Sequence, residues 1–139
     1  MSDIALVSGK IGVVFPQRAE IYDFIATEAI TKGQAVYQLT TGKVGVADAN
    51  GSGKQQFRGI ALSSVGAGQA VSVLVRGHIA GFTVSGLNAD VLVYLSDTVG
   101  ALGTAGGTMT VPVGRVVSLP DNDLTKVVYI DVNWLADWS

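Results

Sequence analysis

The stretch Ala67-Gly68-Gln69-Ala70-Val71-Ser72-Val73-Leu74-Val75-Arg76-Gly77 decides how this chain folds. Between a turn signal and a closing glycine, its residues follow the period of two that marks a half-buried strand. Val71, Val73 and Val75 are expected on one face, with Ser72, Leu74 and Arg76 on the other. Further along the chain the pattern returns as Val128, Ile130 and Val132, at an offset of 57 residues.

Working outward from that strand, the rest of the chain repeats in the same order. Lys32-Gly33-Gln34-Ala35-Val36-Tyr37 has its counterpart in Asn88-Ala89-Asp90-Val91-Leu92-Val93-Tyr94. Each is followed by a polar turn, Thr40-Thr41-Gly42 and Asp97-Thr98-Val99-Gly100, and then by a glycine-led strand, Arg58-Gly59-Ile60-Ala61-Leu62-Ser63 and Val113-Gly114-Arg115-Val116-Val117-Ser118. Ordered matches at offsets of 57, 55 and 57 indicate an internal duplication, with units at about 30–76 and 88–133. Around Gly114 the alternation of Val111, Val113 and Val116-Val117 breaks, as a β-bulge or tight bend requires. Dense turn chemistry at Asn50-Gly51-Ser52-Gly53, Gly66-Ala67-Gly68, 103–107 and 120–123 spaces the strands as in a small sandwich or barrel. Residues 19–30 allow a helix through Ile21, Phe24, Ile25 and Ala29. Their alternation and the poor helix formers Thr27 and Thr31 favour a strand. The expected fold is all-β: a small sandwich or barrel of two similar β units, with residues 1–16 as an extended N-terminal arm and 17–139 as a single β domain.

Composition agrees and narrows the function. Of 139 residues, 21 are Val, 8 Ile and 10 Thr, and 18 Gly punctuate them. Mean hydropathy is +0.43 and only 14% of residues are charged, yet no apolar run is long enough for a membrane helix. A net charge of −2 without a basic cluster argues against nucleic acid and anionic membranes as partners. Residues 1–76 carry seven basic and five acidic side chains and 77–139 carry two and six, so the halves are +2 and −4. Such polarity can orient one copy against another. No cysteine is present, and Met1-Ser2-Asp3-Ile4-Ala5-Leu6 shows no signal peptide, which implies synthesis in the cytoplasm. So few charges on an apolar chain imply that part of its surface is covered in use.

Catalytic patterns are incomplete wherever they begin. His78, the one histidine, has no patterned nucleophile or acid and reads as a surface or turn residue. Gly51-Ser52-Gly53-Lys54 fails as a phosphate loop because Asp48 and Gln55 occupy the required glycine and hydroxyl positions. A calcium loop starting at Asp48 would need an acid where Gly59 stands. Asp121 and Asp123 share one turn and build no cleft. The expectation is a non-enzyme with no cofactor and no metal, whose work is contact.

Two segments suit contact. Residues 1–15 are apolar but carry Gly9 and Gly12, and Pro16 ends ladder pairing. They read either as an arm adding to another chain's sheet through Ile4, Leu6, Val7, Ile11, Val13, Val14 and Phe15, or as an ordinary edge strand or frayed terminus. Trp134 and Trp138 near the C-terminus are candidates for a subunit interface; Trp134 also fits as a cap on the core.

The run Ile30-Thr31-Lys32-Gly33-Gln34-Ala35-Val36-Tyr37, with Gly59-Ile60-Ala61-Leu62, residues 67–77, Val91 to Gly100 and Pro112-Val113-Gly114-Arg115, resembles the capsid decoration (cement) proteins of tailed bacteriophages. The resemblance covers roughly residues 30–133 and rests on turns and strands. It implies a small β-rich homotrimer on the outer surface of the capsid, in the virion, that stabilises the expanded head. The implied partners are the major capsid protein, commonly paired through an N-terminal arm, and further copies of itself. The alternative is a tail or fibre adaptor binding host glycan or another virion protein, with Trp134, Trp138, Tyr22 and Tyr37 as stacking residues.

Overall fold

A computed structural model describes residues 3–50, 53–84, 86–119 and 122–133. Among the described residues the fold is all-β, a curled antiparallel sheet that forms a half-barrel, with no α-helix. The strands are β1 (Gly12–Val14), β2 (Glu20–Ile25), β3 (Ala35–Gln38), β4 (Val44–Val46), β5 (Phe57–Ala61), β6 (Ala70–Ala80), β7 (Leu92–Leu95), β8 (Leu102–Gly103), β9 (Pro112–Leu119) and β10 (Asn122–Asp131). Single 3-10 turns lie at Ser8–Lys10 and Pro16–Arg18. Residues 20–25 form a strand, as the alternation predicts.

Sheet order makes the duplication visible. The path runs β4-β3-β5-β6-β10-β9-β7-β8, so each unit has the same internal order and the two meet through their last strands, β6 and β10. Even the irregularities repeat. Val36 pairs with Gly59 and the register slips before Tyr37; Val93 pairs with Gly114 and the register slips before Tyr94. Both glycines are required by the neighbouring backbone. A Cβ on Gly59 would lie 2.5 Å from the Leu74 carbonyl oxygen, and one on Gly114 would overlap the Tyr129 carbonyl oxygen, the equivalent atom 55 residues on. The bulge expected around Gly114 is present, and it has a twin.

The units nevertheless use opposite faces. Val36, Ala61 and Val73 of the first unit sit in a small cluster with Ala26, Ile30, Val44 and Val71. Ala61 pairs with Val73 and Val116 with Val128, so β6 and β10 correspond at an offset of 55 and not at the 57 expected from the sequence. The equivalents Val93, Val116 and Val128 lie in the main core. The reverse face shows the converse. Ala35, Ile60 and Leu74 are in the main core, whereas Leu92, Arg115 and Tyr129 line an open groove. The core is thus the reverse face of the first unit packed on the valine face of the second.

A bulge in β6 makes this possible. Glu20 pairs with Arg76 but Ile21 pairs with Leu74, so β6 advances two residues while β2 advances one. One extra residue reverses the side-chain phase. Val71 and Val73 therefore join the small cluster, while Val75 and Ile79 join the main core. The single valine face expected from the sequence is split at Val75. All three valines stay fully buried, each worth about 1.5–3 kcal/mol, which is why the sheet keeps the irregularity. Arg76, at the bulge, bonds Asp131 Oδ1 at 2.8 Å and Glu20 Oε1 at 3.2 Å, joining β2, β6 and β10. Its guanidinium pKa is raised, first by the hydrogen bond to Asp131. Exposed pairs of this kind fix geometry more than they stabilise.

Loops draw the two ends of the sheet together. The Ala49 N–H donates to the Ser96 carbonyl at 2.9 Å, that of Gly100 to Ala47 at 2.7 Å, and that of Ala35 to Gly100 at 3.0 Å. Such main-chain bonds satisfy backbone groups that an open edge would leave unpaired.

Gly114→Ala is expected to destabilise the protein by about 3 kcal/mol, because the collision is with backbone. Gly12→Ala, which meets nothing within 4 Å, should change stability by less than about 0.5 kcal/mol. Denaturant unfolding of both variants checks the contrast.

Candidate interaction surface

The N-terminal residues expected as a contact arm are divided by the structure. Ile4 and Ile11 are 6% and 4% exposed and belong to the main core. Leu6 and Val7 face outward at 36% and 46% exposure. Val13 and Val14 are half-buried on the strand β1, which pairs with Ala80, Ile79 and His78 of β6, and Phe15, also half-buried, follows it. Main-chain bonds hold the segment down: the Ile4 N–H donates to the Leu102 carbonyl, that of Val7 to Gly81, and that of Thr83 to Ala5. A free arm is not what these residues form, because the body offers them both backbone partners and apolar burial. The sequence shows their hydrophobicity but not the gap beside β8 and Phe82 that they fill. Pro16 does end the ladder, and the chain turns there through Phe15 in the left-handed region (φ 59°).

Two titratable groups tie this segment to the body. The Ser96 hydroxyl donates to Asp3 Oδ1. That bond, then one from Thr98, holds the Asp3 carboxyl below its usual range. His78 lies inside β6 rather than in a turn, since the strand runs on past Gly77 to Ala80. Its ring contacts Phe15 edge-on at 5.3 Å and Tyr129 at 5.0 Å. Burial lowers its pKa, with a smaller contribution from Arg18, whose guanidinium lies 5.2 Å over the Phe15 ring. His78 Nδ1 is buried without a hydrogen-bond partner. Among the described residues no carboxylate is bonded to this imidazole, as a general base would require.

An open groove of about 300 Å³ lies on the reverse face of the second unit, beside His78. Leu92, Pro112, Val117 and Tyr129 give it an apolar floor, with Arg115 and Asp131 as polar groups. Arg115 Nη1 bonds the Asp90 carbonyl at 2.7 Å and lies 3.6 Å from its carboxylate. Asp131 bonds Arg76. Sequence reading does not single out this groove. The available signal is positional: Arg115 and Tyr129 stand where the first unit has Ile60 and Leu74, both fully buried.

A second apolar surface lies on β2. Ile21, Tyr22 and Ile25 are 45%, 48% and 41% exposed, and Tyr22 stacks on Phe24 with ring centroids 6.4 Å apart. Tyr37 is half-buried against the core, away from this strip. Trp134, Trp138 and Asp121 lie outside the described residues. The loop begun by Asp48 closes on its own backbone, with the Asp48 N–H on the Lys54 carbonyl and the Asn50 N–H on Asp48 Oδ1. Among the described residues no cluster of three metal-ligating side chains occurs, and no helix is long and apolar enough to cross a membrane. Comparison of the chain with protein-family models, curated proteins and solved structures finds no match.

Both lowered pKa values make stability fall with acidity. Folding favours neutral His78, so its contribution is full above pH 6.5 and declines as pH drops toward the lower folded value. Folding favours ionised Asp3, whose contribution is full above pH 3.8 and is lost below it. Thermal unfolding between pH 7 and 5 should show a declining midpoint in the native chain and a flatter profile in His78→Phe.

Proposed function

We propose that this chain is a structural virion protein. It binds the outer surface of a tailed-phage capsid as a homotrimer and stabilises the expanded head by bridging neighbouring major capsid subunits. The observation that carries this reading is the amount of apolar surface without a covering layer, on β2, at Leu6 and Val7, and along the second unit's reverse face. Uncovered apolar surface on a chain with few charges favours a partner. The resemblance to capsid decoration proteins supplies the kind of partner, because the residues that carry it build the strands and turns of both units. Rigid β units suit such a role: a protein that binds only the assembled lattice stabilises it by mass action, by about 4 kcal/mol per site at a free concentration near 1,000 times Kd.

Tyr129, Arg115 and Asp131 in one groove favour a second reading, a tail or fibre adaptor that stacks and hydrogen-bonds a host glycan. Location separates the two readings, since an adaptor labels the tail alone.

The purified protein should co-sediment with expanded heads and not with unexpanded proheads of its virus. Val7→Asp leaves Ile4 and Ile11 in the core and should weaken head binding at least ten-fold. Undiminished binding by that variant would remove the N-terminal segment from the contact, and equal binding to both head forms would contradict the function.

A further inference from the structure

We infer that the surface around Phe82 takes an acidic, aliphatic segment of a partner protein, with the segment's carboxylates on Lys10 and Lys126. Two concavities share Phe82 as a common wall. The smaller, of about 130 Å³, is lined by Ile4, Leu6, Val99 and Leu102, with no charged group among its described residues. The larger, of about 260 Å³, is lined by Val7 and Val84 and by the two lysines. Leu6 on one concavity and Val7 on the other are consecutive residues, so the two form one continuous apolar surface, rimmed by exposed Val99. The rim is held in place by its main chain, with the Val7 N–H on the Gly81 carbonyl and the Thr83 N–H on that of Ala5. A surface fixed in this way loses little freedom when a partner settles on it.

Charge selects the occupant. Lys10 and Lys126 come from opposite ends of the chain to line one concavity, and the ion pairs among the described residues belong to Arg76 and Arg115 instead. Every described carboxylate is engaged elsewhere, Asp3 by Ser96, and Glu20 and Asp131 by Arg76, among others. Residues 77–139 carry just two basic side chains, Arg115 and Lys126. Arg115 is taken by Asp90, so the cation left over in that half is the one at this concavity. A chain of net charge −2 thus presents a locally positive, apolar surface here. A carboxylate beside an aliphatic side chain matches both properties, because a lysine offers an apolar stem and a charged head together. A second copy placed on the same surface would bring four lysines together, which opposes that contact. Nucleic acid needs a longer row of cations than two.

Within the proposed function the segment belongs to the major capsid protein, but the inference stands on the surface itself. The probe is the blocked tetrapeptide Val-Glu-Leu-Glu, titrated into the full native chain and followed by amide chemical shifts, with Val-Gln-Leu-Gln as its uncharged twin. A Kd of about 1 mM is expected for so short a probe, at least five-fold tighter than that of the twin, with the shifts centred on residues 5–10 and 81–84. Lys10→Gln and Lys126→Gln should each weaken the acidic peptide at least three-fold and leave the twin unchanged, whereas Lys43→Gln, in the turn before β4, should change neither. Equal affinity for the two peptides, no binding of either, or lysine variants that bind like the native chain would overturn the inference. Dodecanoate bound at the same residues in preference to the peptide would also overturn it, since a free lipid anion would then be the occupant. A chain that takes the acidic peptide yet ignores phage heads would keep the inference and sink the proposed function. Undiminished head binding by a Lys10→Glu, Lys126→Glu double variant would do the reverse.

Discussion

The bulge at Val75 is the constraint on which the rest of the structure depends. A regular β6 would place Val71, Val73 and Val75 on one face, and one of the two apolar clusters would lose its strand. The extra residue lets a single strand serve the small cluster with its first half and the main core with its second. The duplicated units can then stack in series instead of closing symmetrically on each other. Arg76 marks the same point from outside, with Glu20 and Asp131 on its guanidinium.

Stacking in series has a consequence for surfaces. When two like units meet through opposite faces, one face of each is left over. Here residues 24–30 cover the leftover face of the first unit, and the second unit's becomes the groove. Substitution has followed position: buried Ile60 and Leu74 of the first unit are replaced by half-exposed or exposed Arg115 and Tyr129 in the second. These replacements keep the groove compatible with water without removing its apolar floor. A passive binding role uses such a surface directly, since nothing in it has to move or react.

Much of the fold is legible in the letters, for local reasons. Alternation, glycine placement and the repeated order give the strands, the two units and the bulge at Gly114, because each is set by neighbours in sequence. The phase change at Val75 is hidden, since Val71-Ser72-Val73-Leu74-Val75 alternates without fault and only the pairing with β2 shows the slip. The docking of Ile4 and Ile11 is equally hidden: an apolar segment with two glycines reads the same whether its partner is another chain or its own body. His78 was misplaced because Gly77 looks like a boundary, whereas β6 passes through it with positive φ and continues. The groove needed the face assignment of both units, which no single strand reveals.

The chain has no cysteine, so single-cysteine variants give thiol labelling without background. The most direct test of opposite-face packing is the ratio of labelling rates at two equivalent positions, Leu74→Cys and Tyr129→Cys, under native conditions. The account predicts rapid labelling at 129 and labelling slower by about a thousand-fold or more at 74, because core positions react only through opening of the fold. Comparable rates at the two positions would contradict it, since they would mean that both units present the same face to the core.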